Sequence, residues 1–226
     1  MSEQIKFHGI KTCVFDAYGT LFDVHAAVRR NAEAVGPDAD ALSAHWRAKQ
    51  LEYSWVRSLM GRYLDFWTLT EQALDHAFAT FASADSSMKP ALLDAYRKLD
   101  CYREVPEVIK SLKGQGKQLA ILSNGSPDML TSAVSAAGLD GVFDEVFSVD
   151  AIGAYKTDER VYEIVTNHFR VYPEAVSFQS SNRWDVAGAT AFGFRTVWIN
   201  RAGLADEYND LPPAATLASL EGLAGL

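Results

Sequence analysis

The segment Gly116-Lys117-Gln118-Leu119-Ala120-Ile121-Leu122-Ser123-Asn124-Gly125-Ser126-Pro127-Asp128 decides the reading of the fold. Gly116 opens a strand over Gln118–Ser123. Ser126-Pro127-Asp128 then predicts a helix start, with Ser as N-cap, Pro at the first helical position and an acid on the positive end of the helix dipole. The alternation continues on both sides. Helices are expected over Glu104–Gln115, Asp158–Phe169 and Trp184–Phe192, and strands over Phe143–Val149, Val176–Ser181 and Thr196–Ile199. Strands alternating with helices of about 10–15 residues mean βαβ units and a mostly parallel sheet. Upstream, Lys11–Asp16 reads as a short buried strand running into a turn at Gly19-Thr20. The stretch between has a different character. Ala, Leu, Arg, Glu and aromatics recur at helical spacing, predicting helices over His25–Val35, Asp40–Met60, Leu64–Phe81 and Met88–Leu99 with no strand. The expected architecture is therefore α/β, a Rossmann-like parallel-sheet core carrying an inserted helical unit.

A chain of 226 residues is one or two domains. With 48% hydrophobic and 22% charged residues it is ordinary globular protein, not disordered or fibrous. Twenty-nine acids against 21 Lys plus Arg give a net charge of −8, which argues against a nucleic-acid or anionic-membrane partner. A small anionic substrate stays open, because one local Lys or Arg outweighs the global field. The 2 cysteines, Cys13 and Cys101, are too few for a disulfide framework or a zinc site. Cys13, inside Cys13-Val14-Phe15, reads as a buried reduced thiol. Met1–Lys6 is polar and lacks the apolar core of a signal peptide. No window approaches the roughly 18 apolar residues of a membrane span. These features set the expectation of a soluble cytoplasmic protein.

In open parallel α/β sheets, ligands bind beyond the carboxyl ends of the strands. The residues there are Asp16-Ala17-Tyr18-Gly19-Thr20, Ser123-Asn124-Gly125, Lys156 and Ser180-Ser181-Asn182-Arg183-Trp184-Asp185. Asp16 is either a nucleophile toward carbon or phosphorus or a turn former, and its local sequence leaves both open. Thr20 is an orienting hydroxyl or a cap. Ser123-Asn124-Gly125 is an anion cradle near a helix N-terminus or plain loop chemistry. Lys156 read alone is a solvated loop lysine, and Asn182 to Asp185 a capping arrangement. Arg47 has Trp46, Ala48 and Leu51 as neighbours, which also fits a snorkelling side chain.

Taken together, these residues resemble the haloacid dehalogenase superfamily, and more narrowly its L-2-haloacid dehalogenases. The pattern is an Asp ending the first strand, Ser or Thr after the second, Lys after the third and an acidic loop after the fourth: Asp16, Ser123, Lys156 and Asp185. The narrower likeness rests on Phe15-Asp16-Ala17-Tyr18-Gly19-Thr20-Leu21, on Trp46 to Tyr53, on Ser123-Asn124-Gly125 and on Ser180-Ser181-Asn182-x-Trp184-Asp185. It spans the chain from Ile10 to about Asn200. It implies a catalytic core of residues 1–22 and 101–226, with residues 23–100 as a helical cap domain inserted after the first strand.

The resemblance implies hydrolytic dehalogenation of short-chain (S)-2-haloalkanoic acids to (R)-2-hydroxy acids through an ester on Asp16. It implies catalytic roles for Asp16, Lys156, Asp185, Arg47, Ser180, Asn182 and Thr20. Substrate or halide contacts fall to Tyr18, Arg47, Phe66, Ser123, Asn124, Lys156 and Trp184, with Tyr162 in support. Two replacements speak for a metal-free, cofactor-free site. Tyr18 stands where the superfamily's phosphatases have a second Asp, and Ser180-Ser181 where they have magnesium-binding acids, whereas a hard cation wants several carboxylate oxygens. Thr157 replaces the family's frequent Pro, Gln179 a typical apolar residue, and Arg183 sits inside the fourth loop. A homodimer is expected by resemblance. The rival expectations are a magnesium-dependent phosphatase or phosphonatase of the same superfamily, and a non-catalytic dimeric binding module.

Overall fold

Thr12–Phe15 is the strand around which the chain is built, and all four of its residues are buried. The computed structural model describes residues 7–225. Met1–Lys6, read above as lacking a leader core, lie outside the described residues. Six strands form one all-parallel sheet in the order β3-β2-β1-β4-β5-β6. They are β1 Thr12–Phe15, β2 Gln118–Ser123, β3 Glu145–Ser148, β4 Val176–Ser180, β5 Arg195–Ile199 and β6 Ala215–Leu217. Every residue of β1 and β4, and all of β2 beyond Gln118, is buried, as expected where helices cover both faces of a parallel sheet. The register sets Phe15 between Ile121 and Gln179. The carboxyl ends of β1, β2 and β4 therefore open onto one edge. The strand order reverses between β1 and β4, where such sheets form their crevice.

Between β1 and β2 stand helices α1 Ala26–Arg30, α2 Ala32–Val35, α3 Ala39–Met60, α4 Phe66–Thr80 and α5 Lys89–Arg97, then α6 Val105–Gly114. Beyond β2 come α7 Pro127–Ala136, α8 Glu159–Phe169 and α9 Arg183–Phe192. At 22 residues α3 is about 33 Å long. It buries Leu42, Trp46, Gln50 and Ser54, one stripe at intervals of four. That stripe lies against α4, where the Trp46 indole donates to Thr70 O at 2.9 Å and Gln50 Nε2 to Thr70 Oγ1 at 3.0 Å. Asp65 caps α4 by accepting from the Thr68 amide at 3.0 Å. No helix among the described residues is long and apolar enough to cross a membrane.

Three expectations need correction. The predicted helix His25–Val35 breaks into α1 and α2 at Asn31, whose side-chain amide donates back to Ala27 O at 2.8 Å and turns the backbone out of helical geometry. Ser126 occupies the N-cap of α7 with Pro127 behind it, but its side chain makes no cap hydrogen bond. Asn182 likewise starts α9 without capping it; its side chain is turned to Asp16, to which its Nδ2 donates. Strand β6 escaped prediction: three residues, Ala-Thr-Leu, carry no period to read. Cys13 is buried and unpaired, as read, and burial pushes its thiol up to about 12.

Candidate active site

Asp16 directly follows β1, and its amide donates to Gln179 O on β4 at 2.9 Å, fixing the residue at the β1/β4 crevice. Its two oxygens are treated differently. Oδ2 accepts from Asn182 Nδ2 at 2.8 Å, from Thr20 Oγ1 at 3.0 Å and, more distantly, from Ser180 Oγ at 3.4 Å. Oδ1 accepts from Lys156 Nζ at 3.0 Å. Thr20 Oγ1 in turn accepts from the Ser181 amide at 2.8 Å, and Ser180 Oγ from the Asn182 amide at 3.1 Å. The loop after β4 is thus bound to the turn after β1 through the same hydroxyls that contact the carboxylate.

Lys156 lies just before α8. Its amide donates to Asn124 Oδ1 at 3.1 Å, linking the loops that follow β2 and β3. Its ammonium is wholly buried and bridges Asp16 at 3.0 Å and Asp185 Oδ2 at 2.8 Å. Burial works against that charge, but the two carboxylates outweigh it and hold the lysine pKa above its ordinary value. Asp185 sits in the first turn of α9, where the helix dipole favours a negative charge. Tyr162 on α8 donates its hydroxyl to Asp185 Oδ1 at 2.9 Å. Burial nevertheless pushes the Asp185 carboxyl up to about 6, helped by the charge of Asp16 and opposed by Lys156 and Tyr162.

Arg47 projects from α3 toward this edge, and its Nη2 donates to Tyr18 O at 3.2 Å. That carbonyl also accepts from Asn182 Nδ2 at 3.3 Å, so one backbone oxygen joins α3 to the loop after β4. The Tyr18 ring is buried, stacked on Tyr96 at 5.7 Å and tilted against Phe66 at 6.4 Å. Gly125 makes room for it, since a Cβ there would lie 2.6 Å from Tyr18 Cε2. The Tyr18 hydroxyl is buried with no partner among the described residues. Ser123 Oγ is buried and accepts from the Gly125 amide at 3.1 Å. Trp184 meets Trp55 of α3 edge-on at 5.3 Å.

The structure therefore gathers Asp16, Thr20, Lys156, Tyr162, Ser180, Asn182 and Asp185 into one hydrogen-bonded cluster, with Ser123 and Asn124 on the neighbouring loop. Arg47 reaches the cluster through the Tyr18 carbonyl, while Tyr18 and Phe66 form an apolar side. Among the described residues, no group of three or more His, Cys, Asp or Glu is placed to hold a metal ion. Sequence reading missed Arg201, whose Nη2 donates to Thr20 O at 2.9 Å. The strand-end rule reaches it once extended to β5. It also missed Trp55, two turns along α3 from Arg47 on the same face, and Tyr96 beneath Tyr18.

Arg183 and Gln179 proved to be structural. The Arg183 guanidinium is buried, pairs with Asp206 at 2.5 Å and donates to Tyr208 O and Leu211 O at 3.1 and 3.0 Å. It ties the strap after β5 to the start of α9. Gln179 Nε2 donates to Ser177 Oγ inside β4, and its Oε1 is buried without a partner.

Comparison with known proteins gives one consistent result. Residues 10–193 match the family model of the haloacid dehalogenase-like hydrolases. The chain is 47% identical over 215 residues to (S)-2-haloacid dehalogenase 4A of Burkholderia cepacia, covering 95% of this chain and 93% of that protein. It superposes with a TM-score of 0.94, at 46% identity, on a crystal structure of a dehalogenase with an intermediate complex, covering 96% and 97% of the two chains. L-2-haloacid dehalogenase from Xanthobacter autotrophicus, solved with chloropropionic acid covalently bound, aligns with a TM-score of 0.84 at 36% identity, over 95% and 97%.

Proposed function

The chain belongs to the haloacid dehalogenase-like hydrolase family, and from that premise we propose how its residues divide the work of hydrolysing a carbon–halogen bond. The protein is an (S)-2-haloacid dehalogenase, releasing halide and the (R)-2-hydroxy acid. Residues 23–100 act as a cap over a core of residues 1–22 and 101–226. The observation that carries the reading is the unequal treatment of the two Asp16 oxygens.

Oδ2 is held by the three donors Thr20, Asn182 and Ser180, while among the described residues Oδ1 meets only Lys156. Oδ1 is the freer nucleophile. It attacks C2 of the haloacid opposite the halogen, forms the C–O bond as the C–X pair leaves with the halide, and inverts the centre. Substrate and nucleophile are both anions, so their repulsion must be offset. An ammonium has three donors, two of which Lys156 spends on Asp16 and Asp185. The third, with Ser123 and nearby backbone amides, receives the substrate carboxylate. Arg47 exchanges its bond to the Tyr18 carbonyl for the departing halide, joined by Asn124. Tyr18, Phe66 and Trp184 supply the apolar wall.

Water then adds to the Asp16 carbonyl carbon. Negative charge grows on Oδ2, where Thr20, Asn182 and Ser180 already donate. Preorganised donors of this kind are typically worth about 3–4 kcal/mol each when removed singly. Asp185 takes the water proton, with Tyr162 holding its second oxygen. The bond between the carbonyl carbon and the ester oxygen then breaks. Asp185 returns its proton to the departing oxygen, which leaves as the product hydroxyl carrying Oδ1. The water oxygen stays on Asp16, and the second water proton passes from the Asp16 carboxyl to Asp185. The lysine bridge occupies the space between the two carboxylates and supports chemistry without a metal or cofactor. The reading extends to a homodimer in the cytoplasm, supported by exposed Val56 and Met60 on one side of α3 and by two unpaired cysteines.

The test is halide release from (S)-2-chloropropionate with EDTA present. Sustained chloride release is the expected result. Silence under EDTA, with phosphate-ester cleavage once magnesium is restored, would hand the chain to the phosphatase reading.

A further inference from the structure

A cleft of about 870 Å³ runs along the seam between α3 and α9. Its size falls within the range of sites built for drug-sized ligands and exceeds the needs of a three-carbon acid. Two helix stripes face each other across it. Trp55 and Leu59 come from α3; Trp184, Ala187, Gly188 and Ala191 come from α9. The α9 residues follow the spacing of a single helical face. From Trp184 to Ala191 that face is about 10 Å long. The Trp55 ring meets the Trp184 ring at 5.3 Å, 83° apart, so the two stripes touch where the cleft reaches the catalytic loop.

The cleft shares Lys156 and Trp184 with the catalytic cluster. A substrate whose carboxylate is held in that cluster lays its apolar remainder along the α9 face. The far wall is a built feature. Tyr208 and Leu211 form it, and both their carbonyls are held by the buried Arg183 guanidinium, one residue before Trp184.

We propose that this cleft is the subsite for the alkyl tail of longer 2-haloalkanoic acids, with Trp55 and Leu59 as specificity-determining residues. The inference rests on the dehalogenase reading and extends its substrate class from two- and three-carbon acids to medium-chain ones. The tail leaves C2 past Trp184 and runs between the two stripes.

The experiment measures kcat/KM for (S)-2-bromopropionate and (S)-2-bromooctanoate with wild type, Ala191→Trp and Leu59→Glu. Ala191 and Leu59 are exposed, so neither substitution disturbs the core. Wild type is expected to use the octanoate within about tenfold of the propionate, because contact with each further methylene favours the longer acid. Each variant is expected to lose about tenfold or more on the octanoate while staying within about twofold on the propionate. Wild type that rejects the octanoate but turns over the propionate would overturn the proposal, as would equal losses on both acids. A changed sedimentation coefficient with unchanged selectivity would overturn it too, assigning the cleft to a second copy of the chain. Failure on both acids in wild type would remove the dehalogenase reading and the proposal with it.

Discussion

Nζ of Lys156 stands 2.8 Å from Oδ2 of Asp185, and neither side chain reaches solvent. Burial is the largest influence on this carboxyl and pushes it up to about 6 from a usual 3.8. If Asp185 takes the water proton, it must be ionised to work. The acid limb of kcat is then expected below pH 6, because the Asp16 charge that helps raise this carboxyl is lost in the ester, with activity falling about tenfold per pH unit beneath that limb. Stability moves the opposite way. A carboxyl raised in the folded state keeps its proton longer there than in the unfolded chain, so its contribution is lost as pH rises from about 4 to about 6. Activity profiles of wild type, and the Tm gap between wild type and Asp185→Asn across the same range, check both signs. Asp185→Asn should be inactive and should gain on wild type in Tm as pH rises.

The lysine sets one positive charge between two buried carboxylates. Lys156→Met leaves Asp16 and Asp185 facing each other without a counter-charge. Removing one partner of a buried ion pair costs about 3–5 kcal/mol, and that loss is expected in urea unfolding at neutral pH. It should shrink in mildly acidic buffer, where Asp185 takes a proton. A loss independent of pH would mean that the cost lies in packing rather than charge.

Gly188 sits under Tyr162. A Cβ at that position would lie 2.6 Å from Thr157 Cγ2 and 2.7 Å from the Tyr162 hydroxyl, the group that donates to Asp185 at 2.9 Å. Gly188→Ala is expected to cost about 1–3 kcal/mol through overpacking and to lower kcat about tenfold by displacing the hydroxyl. Adding Tyr162→Phe removes one of the colliding atoms. The double variant should be more stable than the two single losses sum to, a coupling that thermal melts of all four proteins measure directly.

Sequence alone showed the parallel sheet, because a buried parallel strand advertises itself as an apolar run, and Asp16 and Ser123 stand at the ends of two such strands. Lys156, well beyond β3, and Asp185, inside α9, were singled out by the resemblance. The Tyr162–Asp185 and Lys156–Asn124 contacts were out of reach, since they depend on how α8 and the β2 loop dock. Asn31 looked like one more helical residue until its side chain bonded to Ala27 O and ended α1. Arg183 read as a residue inside the fourth loop. Only the fold of the strap at Asp206–Leu211 reveals it as the clamp of a cleft wall. Trp55 was invisible for a similar reason. Its partner Trp184 lies 129 positions away along the chain, and no local pattern announces that pairing.

The central claim is that an oxygen of Asp16, not water, forms the first bond to carbon. A single turnover in heavy-oxygen water with enzyme in excess over (S)-2-chloropropionate, followed by mass spectrometry of the Asp16 peptide and of the released acid, tests it directly. The account predicts one heavy oxygen in the Asp16 carboxylate and none in the 2-hydroxypropionate. Heavy oxygen in the product of that first turnover, with Asp16 unlabelled, would contradict it.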